Sequence, residues 1–391
     1  MNKLNKYITE KIAPQFEKGG KYEKFWSLFD AFHTFLFVPT HTTPRRGAQV
    51  RDSVDSKRVI TMVLIALMPA LLFGMWNVGY QHYLAIGETP GFWSEFFFGL
   101  LAILPKIIVS YVVGLGIEFG IAAYKREEVA EGFLATGLLI PMIVPVDTPL
   151  WMIAVATAFS VVFAKEIFGG TGMNIFNPAL VTRAFLFFAY PTAMSGDQVF
   201  VRTDASFGFG AGTVVDGFSG ATPLAALAEG TFDAAGYNTM DAFLGLIPGS
   251  IGETSTLAIL LGALVLLFSG VASWRIMLSV FAGGAVMSGI ILLFNENAPT
   301  IAQQLCLGGF AFAAVFMATD PVTGCRTNVG KVIYGAFIGV MTIIIRMFNT
   351  GYPEGAMMAV LLGNAVAPLI DYYVVDSNIS RRAKRAKALA K

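Results

Sequence analysis

The stretch of this chain whose residue types and spacing best suit chemistry is Asp216-Gly217-Phe218-Ser219-Gly220-Ala221-Thr222. The Thr222 hydroxyl follows two residues with little or no side chain, and a second hydroxyl, Ser219, stands three positions earlier. Gly220 and Ala221 leave room for a bulky group to approach the backbone, and glycine permits a tight turn. A hydroxyl in that setting is an accessible nucleophile for a modifying enzyme. Read alone, the string is also an ordinary turn, because any loop is made of small polar residues.

Two further sets of polar residues carry candidate chemistry. In Gly169-Gly170-Thr171-Gly172-Met173-Asn174-Ile175-Phe176-Asn177-Pro178, Asn177 is placed to cap the next helix, with Pro178 at its first position. The amides of Asn174 and Asn177 are equally able to donate to and accept from a bound polar ring. The loop lies too far from a strand to be a dinucleotide fingerprint. Glu118, Asp320 and Asp371 fall in or beside apolar runs, where a carboxylate is a functional candidate by default and oxygen ligands suit hard cations. Each has a plainer reading: Glu118 is about two turns from Lys125, Asp320 precedes Pro321 at a helix boundary, and Asp371 is solvated at an interface. Glu166 beside Lys165 reads as a structural pair. Gly114, one turn before Glu118, has the small side that helix contacts use, while Phe185, Phe187 and Phe188 read as core. No catalytic residue is assigned. The scattered His33, His41 and His82 form no triad or metal constellation, and Cys306 and Cys325 fit no disulfide framework or cluster site.

The elements that must position these residues are membrane helices. The chain has 391 residues, 55% hydrophobic and 14% charged, where soluble domains carry about 25% charged residues. Its net charge of +1 offers no basic footprint for nucleic acid, and its charged start lacks the apolar core of a cleaved signal peptide. About ten apolar runs are expected to span a bilayer: 59–80, 93–122, 131–145, 150–168, 178–191, 255–270, 274–294, 302–319, 330–348 and 354–375. The third and fifth are short; Pro141 and Pro145 interrupt the third, and the eighth ends at Asp320-Pro321. Broken spans are tolerated where protein or a cavity covers the backbone, and they often mark binding sites. Lys and Arg collect on one side of this pattern, which places both termini in the cytoplasm and the acidic loop 192–254 outside. The expected organisation is an all-α integral membrane protein: an arm (1–58), a first repeat (59–191), the loop, a second repeat (255–375) and a basic tail (376–391). Gly132-Phe133 leads to Pro145 much as Gly309-Phe310 leads to Pro321, which suggests two inverted five-helix repeats.

Taken together, the strings Asp216–Thr222, Arg51-Asp52-Ser53-Val54-Asp55-Ser56-Lys57-Arg58, Ala164–Gly172, Asn177-Pro178-Ala179-Leu180, Arg183–Pro191, Ala318-Thr319-Asp320-Pro321 and Tyr352-Pro353-Glu354-Gly355 resemble the B-subunit family of the bacterial sodium-translocating NADH:quinone oxidoreductase. The likeness covers nearly the whole chain. The related D subunit of the Rnf-type ferredoxin:NAD oxidoreductase shares the core, and the long arm favours the quinone-reducing family. The resemblance implies FMN joined by a phosphodiester to Thr222, installed by a flavin transferase that recognises Ser219 and Asp216 or is merely met by the turn they shape. It implies riboflavin held non-covalently, for which Asn174 and Asn177 are candidates, and a contribution to the ubiquinone site, for which Gly114 and Phe133 are candidates. Glu118, Asp320 and Asp371 become candidates for sodium uptake. The implied setting is a six-subunit complex in the bacterial inner membrane, with electrons arriving from the FMN of the C subunit and quinone reduction coupled to sodium export. The rival reading, from a different class, is a flavin-free channel or secondary transporter with inverted repeats, which has no use for the Asp216–Thr222 string.

Overall fold

The computed structural model describes residues 3–17, 19–37, 56–127, 129, 131–195, 199–202, 221–228, 230–232, 236–295, 298–349 and 354–389. Asp216 and Ser219, like residues 51–55 of the arm, lie outside them. Among the described residues there are helices and no strands. After a short helix α1 (Trp26–Leu36) come α2 (Ser56–Ile86), α3 (Phe92–Lys125), α4 (Phe133–Met142), α5 (Leu150–Ser160) and α6 (Pro178–Ala189). Two short helices follow, α7 (Pro223–Ala228) and α8 (Thr239–Leu244). The chain then forms α9 (Thr256–Phe268), α10 (Trp274–Phe294), α11 (Ile301–Cys306), α12 (Phe310–Phe312), α13 (Asn328–Phe348) and α14 (Ala356–Leu389). Both α5 and α12 run on into a π-turn, Val161–Lys165 and Ala313–Met317.

Among the described residues six helices are long and apolar enough to cross a membrane, counting α5 with its extension to Phe168. Helices α4, α6 and α9 are shorter, and the eighth expected span is two pieces with a break at Leu307–Gly309. Proline explains α4, which stops one residue after Pro141. The basic tail expected from 376 is instead the end of α14, which continues to Leu389 without interruption. Its run of Ala, Lys and Arg favours helix and contains no breaker.

The long helices are inside out relative to a soluble protein. On α3 the buried residues Ala102, Lys106, Ser110, Gly114, Glu118 and Ala122 recur every fourth position, so they share one stripe. On its other side Leu101, Leu104, Ile108 and Val112 are exposed. Apolar groups outward and polar groups inward is the arrangement a lipid solvent favours.

In each half the second helix packs on the third and fourth, and the fourth on the fifth: α3 on α4 and α5, α5 on α6; α10 on α11, on the π-turn after α12 and on α13, α13 on α14. The first helices of the halves, α2 and α9, pack on each other. Glycines bring α10 and α13 backbone to backbone, with Gly283 facing Ala336 and Gly339 facing the Val280 carbonyl, as small residues do where helices have no hydrophobic drive to associate.

Two ends of the bundle can be told apart. One end gathers the ion pair Lys57–Glu131 (3.0 Å), the 169–177 loop, Asp320 and Asp371. The opposite end gathers Thr222, Glu253, Leu307 and Glu354.

Candidate functional site

At the Lys57 end, Gly169, Gly170 and Gly172 all adopt positive φ (111°, 88° and 91°), a conformation open to glycine at little cost. The chain thereby turns sharply enough to deliver Asn174 and Asn177 to the start of α6. Asn177 caps that helix, its Oδ1 accepting from Ala179 N at 3.0 Å. Its Nδ2 donates to Asp320 Oδ2 at 3.2 Å, so the capping and binding readings of this residue are compatible. Asp320 also accepts from Val322 N (2.9 Å) and Thr323 Oγ1 (3.1 Å). Asn174 spends Nδ2 on the Phe176 carbonyl (3.0 Å).

Asn174, Asn177, Asp320 and Lys165 line one cavity of about 300 Å³, whose remaining wall includes Val63, Leu139, Leu266 and Phe316. That is the lower range of small-molecule sites, and an apolar wall with a few convergent polar groups is their usual composition. An isoalloxazine ring offers an acceptor–donor–acceptor edge on an apolar plate. Two amides, a carboxylate and an ammonium can meet that edge, so the donor set fits a flavin.

Lys165 closes the π-turn after α5 and forms a buried ion pair with Glu118 on α3; both side chains are 4% exposed. Its ammonium also stands 5.8 Å from the centroid of the Phe133 ring, within reach of a cation–π attraction. Lys125 pairs instead with Glu166 at 3.8 Å. The sequence reading had Glu118 near Lys125 and Glu166 with Lys165. The π-turn carries Lys165 onto the inner stripe of α3, where a buried charge needs a partner and Glu118 supplies one. Phe133, fully buried, fills the notch of Gly114: a Cβ there would run into its ring.

Asp371 is held rather than solvated. It accepts from Arg326 N (2.6 Å), Thr327 N (3.1 Å) and the Thr327 hydroxyl, fastening α14 to the start of α13. Glu118, Asp320 and Asp371 thus sit in three separate networks. No group of three or more His, Cys, Asp or Glu able to hold a metal occurs among the described residues.

At the opposite end, Thr222 stands immediately before α7. Its Oγ1 accepts from Ala225 N (3.2 Å) and its carbonyl from Ala226 N (3.0 Å), while Pro223 occupies the first helical position. Tyr237 donates its hydroxyl to the Ala221 carbonyl (2.7 Å) and so pins the residue before it; burial pushes the phenol up, keeping it a donor. Thr222 lines a smaller cavity of about 110 Å³ with Phe187, Phe200, Leu224, Glu253 and Glu354. The partly buried hydroxyl is therefore fixed by a cap and opens onto a cavity, a setting that suits an attached group.

Beneath that cavity lies a network the sequence reading missed. Arg183 on α6 bridges Glu253 (3.1 Å) and Glu354 and also donates to the Ile143 carbonyl, just past α4. Burial pushes the Glu253 carboxyl well above the usual range, against the pull of Arg183 and with a push from Glu354. Arg346 on α13 donates to the carbonyls of Gln304, Leu307 (2.9 Å) and Glu354 (3.1 Å), closing the backbone freed by the break between α11 and α12. A third buried cation, Lys106, donates to the Val146 carbonyl. Charged residues inside apolar runs were the available signal for all three.

The family model described as NQR2, RnfD, RnfE matches residues 44–380. Curated relatives include the B subunit of the Na(+)-translocating NADH-quinone reductase of Ectopseudomonas mendocina, 45% identical over 97% of this chain and 98% of its own. The proteins of the same name from Chromohalobacter salexigens (44%, covering 97% and 96%) and Pseudomonas aeruginosa (44%, covering 97% and 98%) are similar to it as well. A likeness of that depth over both full lengths, carried by a helical bundle with the inward polar stripe described above, is decisive: this chain belongs to the NQR2, RnfD, RnfE family.

Proposed function

We propose that the chain is the B-type redox subunit of a sodium-translocating NADH–quinone reductase. In this reading FMN is esterified through its phosphate to Thr222, and riboflavin occupies the cavity lined by Asn174, Asn177 and Asp320. Flavins supply one- and two-electron chemistry, and the protein supplies anchorage, orientation and electrostatics. Thr222 anchors, because phosphate linkage leaves the ring free. The two asparagines and Asp320 orient, because their amides and carboxylate are already fixed by hydrogen bonds to one another and to α6. Gly114 and Phe133 are buried against each other, so a ubiquinone headgroup would reach this pair only where the surrounding helices part.

The observation that carries the proposal is the placement of the two polar sites. Thr222 opens onto a cavity at one end of the bundle, and a larger amide- and carboxylate-lined cavity lies at the other. The ten helical segments form two inverted halves in the bacterial inner membrane. Both termini are cytoplasmic, and the Thr222 end faces the side where the flavin transferase and the C subunit's FMN approach. The recurrence of helix pairing in the two halves supports this arrangement.

The test uses the complex purified from a host that has the transferase. After denaturing electrophoresis the wild-type band fluoresces as flavin. Thr222→Ala is dark, Thr222→Ser keeps at least part of the signal, and Ser219→Ala keeps the attachment atom. Acid extraction releases a second, non-covalent flavin, whose content falls in Asn177→Ala. A fluorescent Thr222→Ala band sinks the attachment site, and a dark wild-type band favours a flavin-free transporter.

A further inference from the structure

Thr222, Glu253, Thr254 and Glu354 line one cavity of about 110 Å³, and the charges around it are already engaged. Arg183 from α6 is shared by two carboxylates, Glu253 at 3.1 Å and Glu354. Arg346 from α13 gives its guanidinium to the carbonyls of Gln304, Leu307 and Glu354. Two arginines thus balance two carboxylates. The neighbouring loop adds no cation of its own: between 192 and 254 the sequence contains one Lys or Arg, Arg202, which pairs with Asp147 at 3.7 Å. The cavity does offer a donor. The Thr254 hydroxyl, 3% exposed, has no hydrogen-bond partner among the described residues. A buried O–H left unmade costs free energy, and a phosphate oxygen would satisfy it, but the hydroxyl brings no charge. The cavity is also smaller than the roughly 300 Å³ at which small-molecule sites begin, so it suits a phosphate group and not a flavin ring.

We propose that Glu253 and Glu354, bridged by Arg183, bind one proton when a phosphodiester stands on Thr222, resting on the reading that a flavin phosphate is attached there. The ester replaces the hydrogen of Oγ1 and keeps one negative charge at any working pH. One proton from water enters the carboxyl pair, and the charges close: Arg183 and Arg346 stand against one carboxylate and the phosphate. No electron moves. Two carboxylates on one guanidinium are an arrangement in which a proton is shared, because like charges so close disfavour double ionisation. Burial of Glu253 acts in the same direction. Among the described residues no other titratable side chain lines this cavity, so the pair is the acid that faces the attached group. Loss of the proton sets a second carboxylate against the phosphate and loosens the hold on the flavin's anchor.

The experiment compares the intact complex from hosts with and without the flavin transferase, so that one sequence is read in both states. Infrared difference spectra recorded against pH follow the carbonyl stretch of protonated carboxyls. With the flavin attached this band should disappear about one pH unit higher than without it, as one nearby like charge requires. Glu253→Gln and Glu354→Gln each leave a single carboxyl on Arg183, which ionises, so either replacement removes the band and its difference between hosts. Melting temperature gives a second readout. A carboxyl held up in the fold contributes stability that is complete below the unfolded carboxylate range and is lost as pH rises through its folded value. That loss should sit at higher pH with the flavin attached and vanish in Glu253→Gln. A band lost at the same pH in both hosts overturns the proposal, since a cation from a partner subunit then neutralises the phosphate. A band that survives both replacements overturns it as well. Should one variant not assemble, the other and the comparison of hosts decide. Absence of covalent flavin from wild type made with the transferase defeats instead the attachment reading beneath it.

Discussion

The two halves of the bundle contain the same three-part arrangement at opposite ends. In the first, Gly114 of α3 receives the ring of Phe133, the first residue of α4, and Lys165 at the end of α5 sits 5.8 Å from that ring. In the second, Gly284 of α10 receives the ring of Phe310, the first residue of α12, and Arg346 of α13 sits 5.7 Å from it. The difference is one turn further along the second helix. Position 118 is a buried glutamate, whereas Ser288 stands at the same offset from Gly284. With no carboxylate to hold, Arg346 spends its donors on carbonyls and locks a broken helix. With Glu118 present, Lys165 spends its ammonium on that carboxylate. One scaffold thus yields a structural joint in one half and a buried ion pair in the other, and two exchanges separate them, Ser288 for Glu118 and Arg346 for Lys165.

That contrast can be broken most forcefully at the cations. Arg346→Ala removes the donor to the Gln304 and Leu307 carbonyls of the broken helix, and Arg183→Ala leaves Glu253 and Glu354 without their guanidinium. Arg183→Ala is expected to cost about 3–5 kcal/mol, as removal of one partner of a buried ion pair does, and Arg346→Ala about 1–3 kcal/mol for each carbonyl left without its donor. Thermal unfolding in detergent measures this. The double replacement Lys165→Met with Glu118→Leu removes a pair together, which is often close to neutral, so its melting temperature should stay near wild type. A large loss there would make the first half a structural joint too.

The next test is the shared notch. Gly114→Ala and Gly284→Ala each drive a methyl into a phenylalanine ring and should cost about 1–3 kcal/mol by overpacking. Only Gly114→Ala should also alter the sodium concentration for half-maximal quinone reduction, because only there does the ring support a cation with a carboxylate partner. Equal effects on sodium dependence would erase the distinction.

Smaller effects are expected at the caps. Thr222→Ala loses a helix cap worth about 1 kcal/mol along with the flavin, while Thr222→Ser keeps both; the stability difference is readable in protein from a host lacking the transferase. Asp371→Ala removes the acceptor of two backbone N–H groups and should lower stability by about 1–3 kcal/mol. A rise in the sodium requirement beyond what that loss explains would return Asp371 to the cation path. Smallest of all should be Ser288→Ala, within about 1 kcal/mol and without effect on sodium dependence. A marked sodium phenotype there would show that the second half still handles cations.

Helix positions were legible in the apolar runs, because hydrophobic length and proline placement act locally. The short third segment appears as α4, whereas the break between α11 and α12 within the eighth run had no signal in the apolar pattern. The cap of α6 was legible in Asn177-Pro178. The continuation of α14 to Leu389 could not be read from the apolar run, because polarity from 376 ends only the apolar part of the helix. The pairings of the charged residues were misread for a different reason. Neighbours in sequence, Lys165 and Glu166, suggested one pair, but a π-turn directs them to Glu118 and Lys125.

By itself the sequence determined the class of solvent and the sites of helices and singled out Thr222 as a candidate, since each depends on composition or on residues within a few positions of one another. The tertiary structure alone decided which charges meet. Glu118 and Lys165 are 47 residues apart, Asn177 and Asp320 are 143 apart, and Arg183 and Glu354 are 171 apart. Inside the bundle a charge or an amide must find a partner wherever the packing of helices brings one, and no local pattern encodes that meeting.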